Sequence, residues 1–156
     1  HSPWIAQGAY EVGLTSAQDT AEGLHAAMVR VLAGAMREQK LTLIRAHPDL
    51  AGRLKLKDLT ADSQSEQASA GLDSLTPADR DRFLALNDAY RARFGFPFIM
   101  AVKGRSRDEI LQAFEDRLDH EYEQEFDTAM AQIERIALLR LKERLPSSVD
   151  AFSNIA

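Results

Sequence analysis

There is no cysteine in the chain, so disulfides and thiolate metal sites are excluded and stability has to come from packing. No run of about 18 apolar residues occurs, the minimum for a helix that spans a bilayer, and no membrane partner is expected. A basic excess is missing too: 24 acidic residues stand against 19 Lys and Arg, for a net charge of −5. General nucleic-acid binding leaves a basic patch or stripe, so that function class is disfavoured. A local basic pocket for an anionic substrate is still allowed. No secretory leader is recognisable, and Asn154-Ile155-Ala156 is not a peroxisomal Ser-Lys-Leu address, so a cytoplasmic location is expected.

Proline and glycine are scarce, 5 and 8 among 156 residues, and their positions divide what is otherwise helical period. Pro3 and Trp4 open a short helical stretch, loosened after Gly8 and Gly13. Ser16 is the expected N-cap of the next helix, with Asp19 supplying a first-turn acid. Leu24, Met28, Val31 and Leu32 recur at helical spacing, and Gly23 and Gly34 permit close helix contact. A helix from Met36 ends near Ala46, because the residue before Pro48 is pushed out of the α region. Residues 54–59 form a charged connection, and residues 62–72 a short helix ended by Gly71.

Thr76-Pro77-Ala78-Asp79 is a helix start, with a capping hydroxyl, proline at the first helical position and an acid after it. That helix continues through Phe83, Tyr90 and Phe94 to Gly95. Residues 96–102 alone read as extended, too isolated to make a sheet. Ser106-Arg107-Asp108-Glu109 then matches a capping box. From Ser106 to Leu145 there is neither Gly nor Pro. One helix of that length would run roughly 60 Å, against a radius of gyration of about 15 Å for a compact domain of this size. The stretch must break, bend or project into a partner. The expected fold is all-α: a compact single-domain helical bundle over residues 1–156 with one short extended segment.

The chemistry concentrates at Ala46-His47-Pro48-Asp49-Leu50-Ala51-Gly52. His47 falls at a helix C-terminus, where the macrodipole favours a cation by about 0.3–1 kcal/mol. That biases the imidazole towards holding a proton, as a proton donor requires; the plain alternative is a capping histidine without chemistry. Ser63-x-x-Glu66 has capping-box spacing, so on the residues alone Glu66 reads as a structural cap. Two metal readings fail on spacing. His120-Glu121 lacks the second histidine of His-Glu-x-x-His, because Gln124 stands there. His47-x-Asp49 has no further histidine in ligand spacing among His1, His25 and His120.

Taken together, Leu43-Ile44-Arg45-Ala46-His47-Pro48-Asp49-Leu50-Ala51-Gly52, Ser63-Gln64-Ser65-Glu66-Gln67 and Phe94-Gly95-Phe96-Pro97-Phe98-Ile99 resemble the OHCU decarboxylase family. The likeness runs from His1 to about Leu145, with Asp62 where the family often has glutamate. It implies decarboxylation of 2-oxo-4-hydroxy-4-carboxy-5-ureidoimidazoline (OHCU) to S-allantoin in urate breakdown, by a helical bundle that pairs as a homodimer. In the family, His-Ser-Pro-Trp lies after an N-terminal helix, so a leading segment is expected to be missing before His1.

In such a substrate the carbon bearing the carboxylate sits beside a ring imine that can accept the electrons left by carbon dioxide. No pyridoxal, thiamine or metal sink is then expected. The resemblance makes His47 the proton donor, titrating near neutrality, and turns Glu66 from cap to catalytic partner. It assigns substrate contacts to Pro48, Ser63, Gln64, Ser65 and Gln67, and to the backbone of Phe98, Ile99, Met100, Ala101 and Val102. Asp49 is expected to steady the loop. Arg45 and the Lys103/Arg105 pair remain open as anchors for the substrate carboxylate. The rival reading is a helical ligand-binding or interaction module that keeps the pocket without turnover; a third is an enzyme acting on a neighbouring ureide.

Overall fold

The computed structural model describes residues 2–50 and 71–146. Among them the regular elements are all helical, with no strand. In chain order they are α1 (Pro3–Val12), a 3-10 turn (Ser16–Asp19), α2 (Ala21–Gly34), α3 (Arg37–Ala46), a 3-10 turn (Leu72–Ser74), α4 (Pro77–Phe94), α5 (Arg107–Leu118) and α6 (Tyr122–Arg144). Two compact units result. One comprises the residues up to Ala46 with those from Ile133 onward, the other His47–Gln132, and α6 contributes to both.

In the first unit, α1 buries Ile5 and Ala9, and α2 buries Ala21, Ala27 and Leu32. Gly8 sits inside α1 rather than loosening it. A Cβ there would lie 2.9 Å from a Val31 methyl, so its bare backbone lets α1 lie close on α2. Gly23 is more stringent, since a Cβ would fall 1.6 Å from the Ala17 carbonyl oxygen. Gly34, expected to act likewise, faces no atom within 4 Å.

The expected Ser16 cap is also displaced by one residue. Thr15 and Gln18 form the capping box of the 3-10 turn. Thr20 then caps α2, its hydroxyl accepting from the Gly23 N–H at 3.1 Å. A threonine before each start serves better than Ser16, which the turn itself absorbs. The C-terminal part of α6 and the residues just after it belong to this unit: His25 Nε2 lies 2.8 Å from the Glu134 carbonyl oxygen, and the Ala21 N–H donates to the carbonyl of Pro146, beyond the end of α6.

The second unit is built on aromatic packing. Phe83, Tyr90, Phe94, Phe96, Phe98 and Phe114 are all buried. Phe98 stacks on Phe114 with centroids 3.6 Å apart, and Tyr90 meets Phe98 edge-on. Each such ring removes roughly 150–250 Å² from water. Thr76 caps α4 through the Asp79 N–H, and Gly95 ends it at φ 71°, a conformation a side chain would resist. Ser106 and Glu109 form the expected box at the start of α5. The Ser106 N–H donates to Glu109 and holds its carboxyl below the usual range.

The long Gly- and Pro-free stretch breaks at residues 119–121, between α5 and α6. Local sequence supplies no breaker there; tertiary hydrogen bonds do. Arg93 donates to the His120 carbonyl at 3.1 Å, and His120 Nδ1 lies 2.9 Å from Glu125 Oε2. Glu125 is fully buried. Fixing it inside the core turns the chain where an uninterrupted helix would have carried it out.

Candidate functional site

α3 stops at Ala46, and His47 follows as the first residue outside it, as proline two positions on requires. His47 is half-buried, and its Nδ1 lies 3.3 Å from the Pro48 carbonyl oxygen. The loop is tied to α4 through Asp49. Its Oδ2 accepts from Asn87 Nδ2 at 2.9 Å and from Arg91 Nη1 at 3.1 Å. Asp49 thus has the loop-steadying contacts expected of it.

Some fifty residues later, the stretch after Gly95 runs through the same unit without helix or strand. It returns to His47 and Pro48, and together with Leu50 the residues Phe98, Ile99 and Met100 line a shallow hollow open to solvent. Five of the expected site residues therefore meet at one place: His47, Pro48, Phe98, Ile99 and Met100. Ala101 and Val102 are buried just beyond, and the lining stops at Met100. Ser63, Gln64, Ser65, Glu66 and Gln67 lie outside the described residues, as do residues 54–59 and the helix expected over most of 62–72. Of the candidate anchors, Arg105 has a loose ion pair with Glu109 at 3.8 Å, and Arg45 and Lys103 are exposed.

Behind the hollow is a buried polar network that the sequence did not flag. The Arg117 guanidinium is paired with Glu125, which also accepts from the Tyr90 hydroxyl at 2.6 Å. Arg117 Nη1 donates to the Ile99 carbonyl at 2.7 Å, and its guanidinium carbon lies 4.3 Å from the Phe98 ring centroid. Burial pushes the Tyr90 hydroxyl far above its ordinary pKa; the nearby Arg117 charge opposes this, and the bond to Glu125 adds to it. Tyr90 therefore stays a donor at any ordinary pH. At the other end of the segment, the Ala101 N–H donates to Gln132 Oε1 at 2.9 Å. These contacts join residues 8 to 35 positions apart on three helices and the segment between them, a separation no local pattern betrays.

Comparison with known proteins bears directly on this site. The family model for OHCU decarboxylase matches residues 1–142. The chain belongs to the OHCU decarboxylase family. Among its relatives, an OHCU decarboxylase of Halalkalicoccus jeotgali is 49% identical over 142 residues, covering 91% of this chain and 77% of the other. One of Haloferax volcanii is 47% identical over 147 residues, covering 94% and 84%. Among solved structures, one of (S)-allantoin synthase superposes with a TM-score of 0.72 at 33% identity, covering 93% of this chain and 46% of that longer one. Membership covers both halves of the hollow, the His47 loop and the segment after Gly95.

Proposed function

We propose that the chain decarboxylates OHCU to S-allantoin in urate degradation, with His47 delivering the proton and Glu66 assisting. The observation that carries this is the convergence of His47 and Pro48 with Phe98, Ile99 and Met100 on one hollow, in a member of the OHCU decarboxylase family. The protein is a lyase. Carbon dioxide leaves with the electron pair of the broken C–C bond passing into the adjoining ring imine. What the protein contributes is orientation and one proton delivered to one face.

His47 suits that role because it stands where the α3 dipole favours the imidazolium. An N–H at Nδ1 would donate to the Pro48 carbonyl, leaving Nε2 to exchange the proton. Glu66 hydrogen-bonds the substrate's hydroxyl or ring nitrogen. Ser63, Gln64, Ser65 and Gln67 meet its polar edge, Pro48 forms a wall, and the backbone of residues 98–102 holds the ring and ureido arm. On this reading the enzyme is cytoplasmic, needs no cofactor or metal, and works as a homodimer of one-domain chains.

Freshly generated OHCU, followed by circular dichroism, tests the activity. Fast appearance of one allantoin enantiomer supports it, whereas spontaneous decay at the buffer rate identifies a binding module without turnover. General acid catalysis contributes about 10²–10⁴-fold. His47→Asn should therefore lower kcat by at least about a hundredfold with the helical spectrum unchanged. Glu66→Gln should also cripple kcat; if it lowers only the melting temperature, Glu66 is a cap.

A further inference from the structure

The segment beside His47 is gripped at two adjacent peptide planes by side chains from two different helices. Arg117, on α5, donates from Nη1 to the Ile99 carbonyl at 2.7 Å. Gln132, on α6, accepts from the Ala101 N–H at 2.9 Å. These two groups flank Met100, which lines the hollow. The Ile99 C=O shares its peptide plane with the Met100 N–H, and the Ala101 N–H shares its plane with the Met100 C=O. No cis peptide occurs among the described residues, and in a trans peptide the C=O and N–H point in opposite directions. Fixing the Ile99 oxygen towards Arg117 therefore aims the Met100 N–H away from it. Fixing the Ala101 N–H towards Gln132 aims the Met100 C=O away from that side chain.

Neither Met100 group is used in a backbone hydrogen bond to another described residue. A donor and an acceptor from one residue are thus held in set directions beside the imidazole. That pair matches a cyclic ureide, which presents a C=O next to an N–H on one edge. We propose that Arg117 and Gln132 are positioning residues, which act through the backbone of Ile99 and Ala101 to fix the Met100 N–H and C=O for ureide recognition. Glu125 in turn holds Arg117, because a buried guanidinium needs an acceptor for its remaining donors. The inference rests on the reading that residues 98–102 hold the substrate through their backbone.

The test is steady-state kinetics on OHCU for the whole chain carrying Gln132→Leu or Arg117→Lys. Leucine removes the acceptor at similar size from a half-buried position. Lysine keeps the charge of Arg117 but cannot bond Glu125 and Ile99 in the same fork. Ile110→Val, in the buried face of α5, lowers stability without touching the segment and serves as control. Losing one binding orientation should raise KM about five- to tenfold with kcat within about twofold, and the control should keep the wild-type KM. Gln132→Leu decides the matter if Arg117→Lys fails to fold. Wild-type turnover together with an unchanged KM in Gln132→Leu, or an equal rise in Ile110→Val, overturns this inference alone. A wild type that does not accelerate OHCU decay overturns the proposed function and this inference with it.

Discussion

Replacing Asp49 by alanine should destabilise the protein through a residue on another element, Asn87. Asp49 Oδ2 is the acceptor for Asn87 Nδ2, and Asn87 is only 5% exposed. The Asn87 Oδ1 already has no hydrogen-bond partner among the described residues. Without Asp49 the buried amide would be unsatisfied at both ends. Stranding a buried polar group costs about 1–3 kcal/mol. Arg91, the other donor, is 57% exposed at its side chain, so losing its ion pair adds about 0–1 kcal/mol.

The expected loss is therefore about 2 kcal/mol or more, a fall in Tm of about 4–8 °C for a chain of this size. Because Asp49 is two residues from His47, kcat should fall as well. Thermal and urea unfolding of Asp49→Ala, Asn87→Leu and the double variant read out the coupling. With both polar partners replaced by apolar groups the penalty should largely vanish, leaving the double variant within about 1 kcal/mol of wild type. If Asp49→Ala loses under 0.5 kcal/mol (about a quarter of the expected loss), or if the two losses simply add, the Asn87 contact does not hold the loop.

Two further outcomes are expected. The pKa of Tyr90 is raised on folding, chiefly by burial. Its stabilising contribution is complete below the unfolded value of about 10 and is lost as pH rises above that towards the folded value. Urea titrations at neutral and strongly alkaline pH should show wild type losing stability above about pH 10, with a smaller loss in Tyr90→Phe; equal losses would show that Tyr90 is not the group titrating. Gly23→Ala should destabilise by about 1–3 kcal/mol, because the added Cβ meets backbone at Ala17. Gly34→Ala, with open space around it, should be neutral or gain a few tenths of a kcal/mol. A melting temperature for Gly23→Ala at or above that of Gly34→Ala would refute the packing argument.

The amino-acid sequence by itself determined where several helices start and stop, because those signals are local. Thr76-Pro77, Gly95, Ser106 with Glu109, and Pro48 after His47 each act on backbone groups within a few residues. It also exposed the His47 loop and the segment after Gly95, since a proline-bounded histidine and a run of phenylalanines are visible in one dimension. Tertiary structure alone decided where the long C-terminal stretch breaks, because the groups that turn it, Arg93, His120 and the buried Glu125, belong to different elements. It alone brought His47 to Met100, tied Asp49 to Asn87, and set Arg117 and Gln132 on the peptide planes either side of Met100. A hydrogen bond depends on separation in space, and side chains distant along the chain carry no shared period that would announce their meeting.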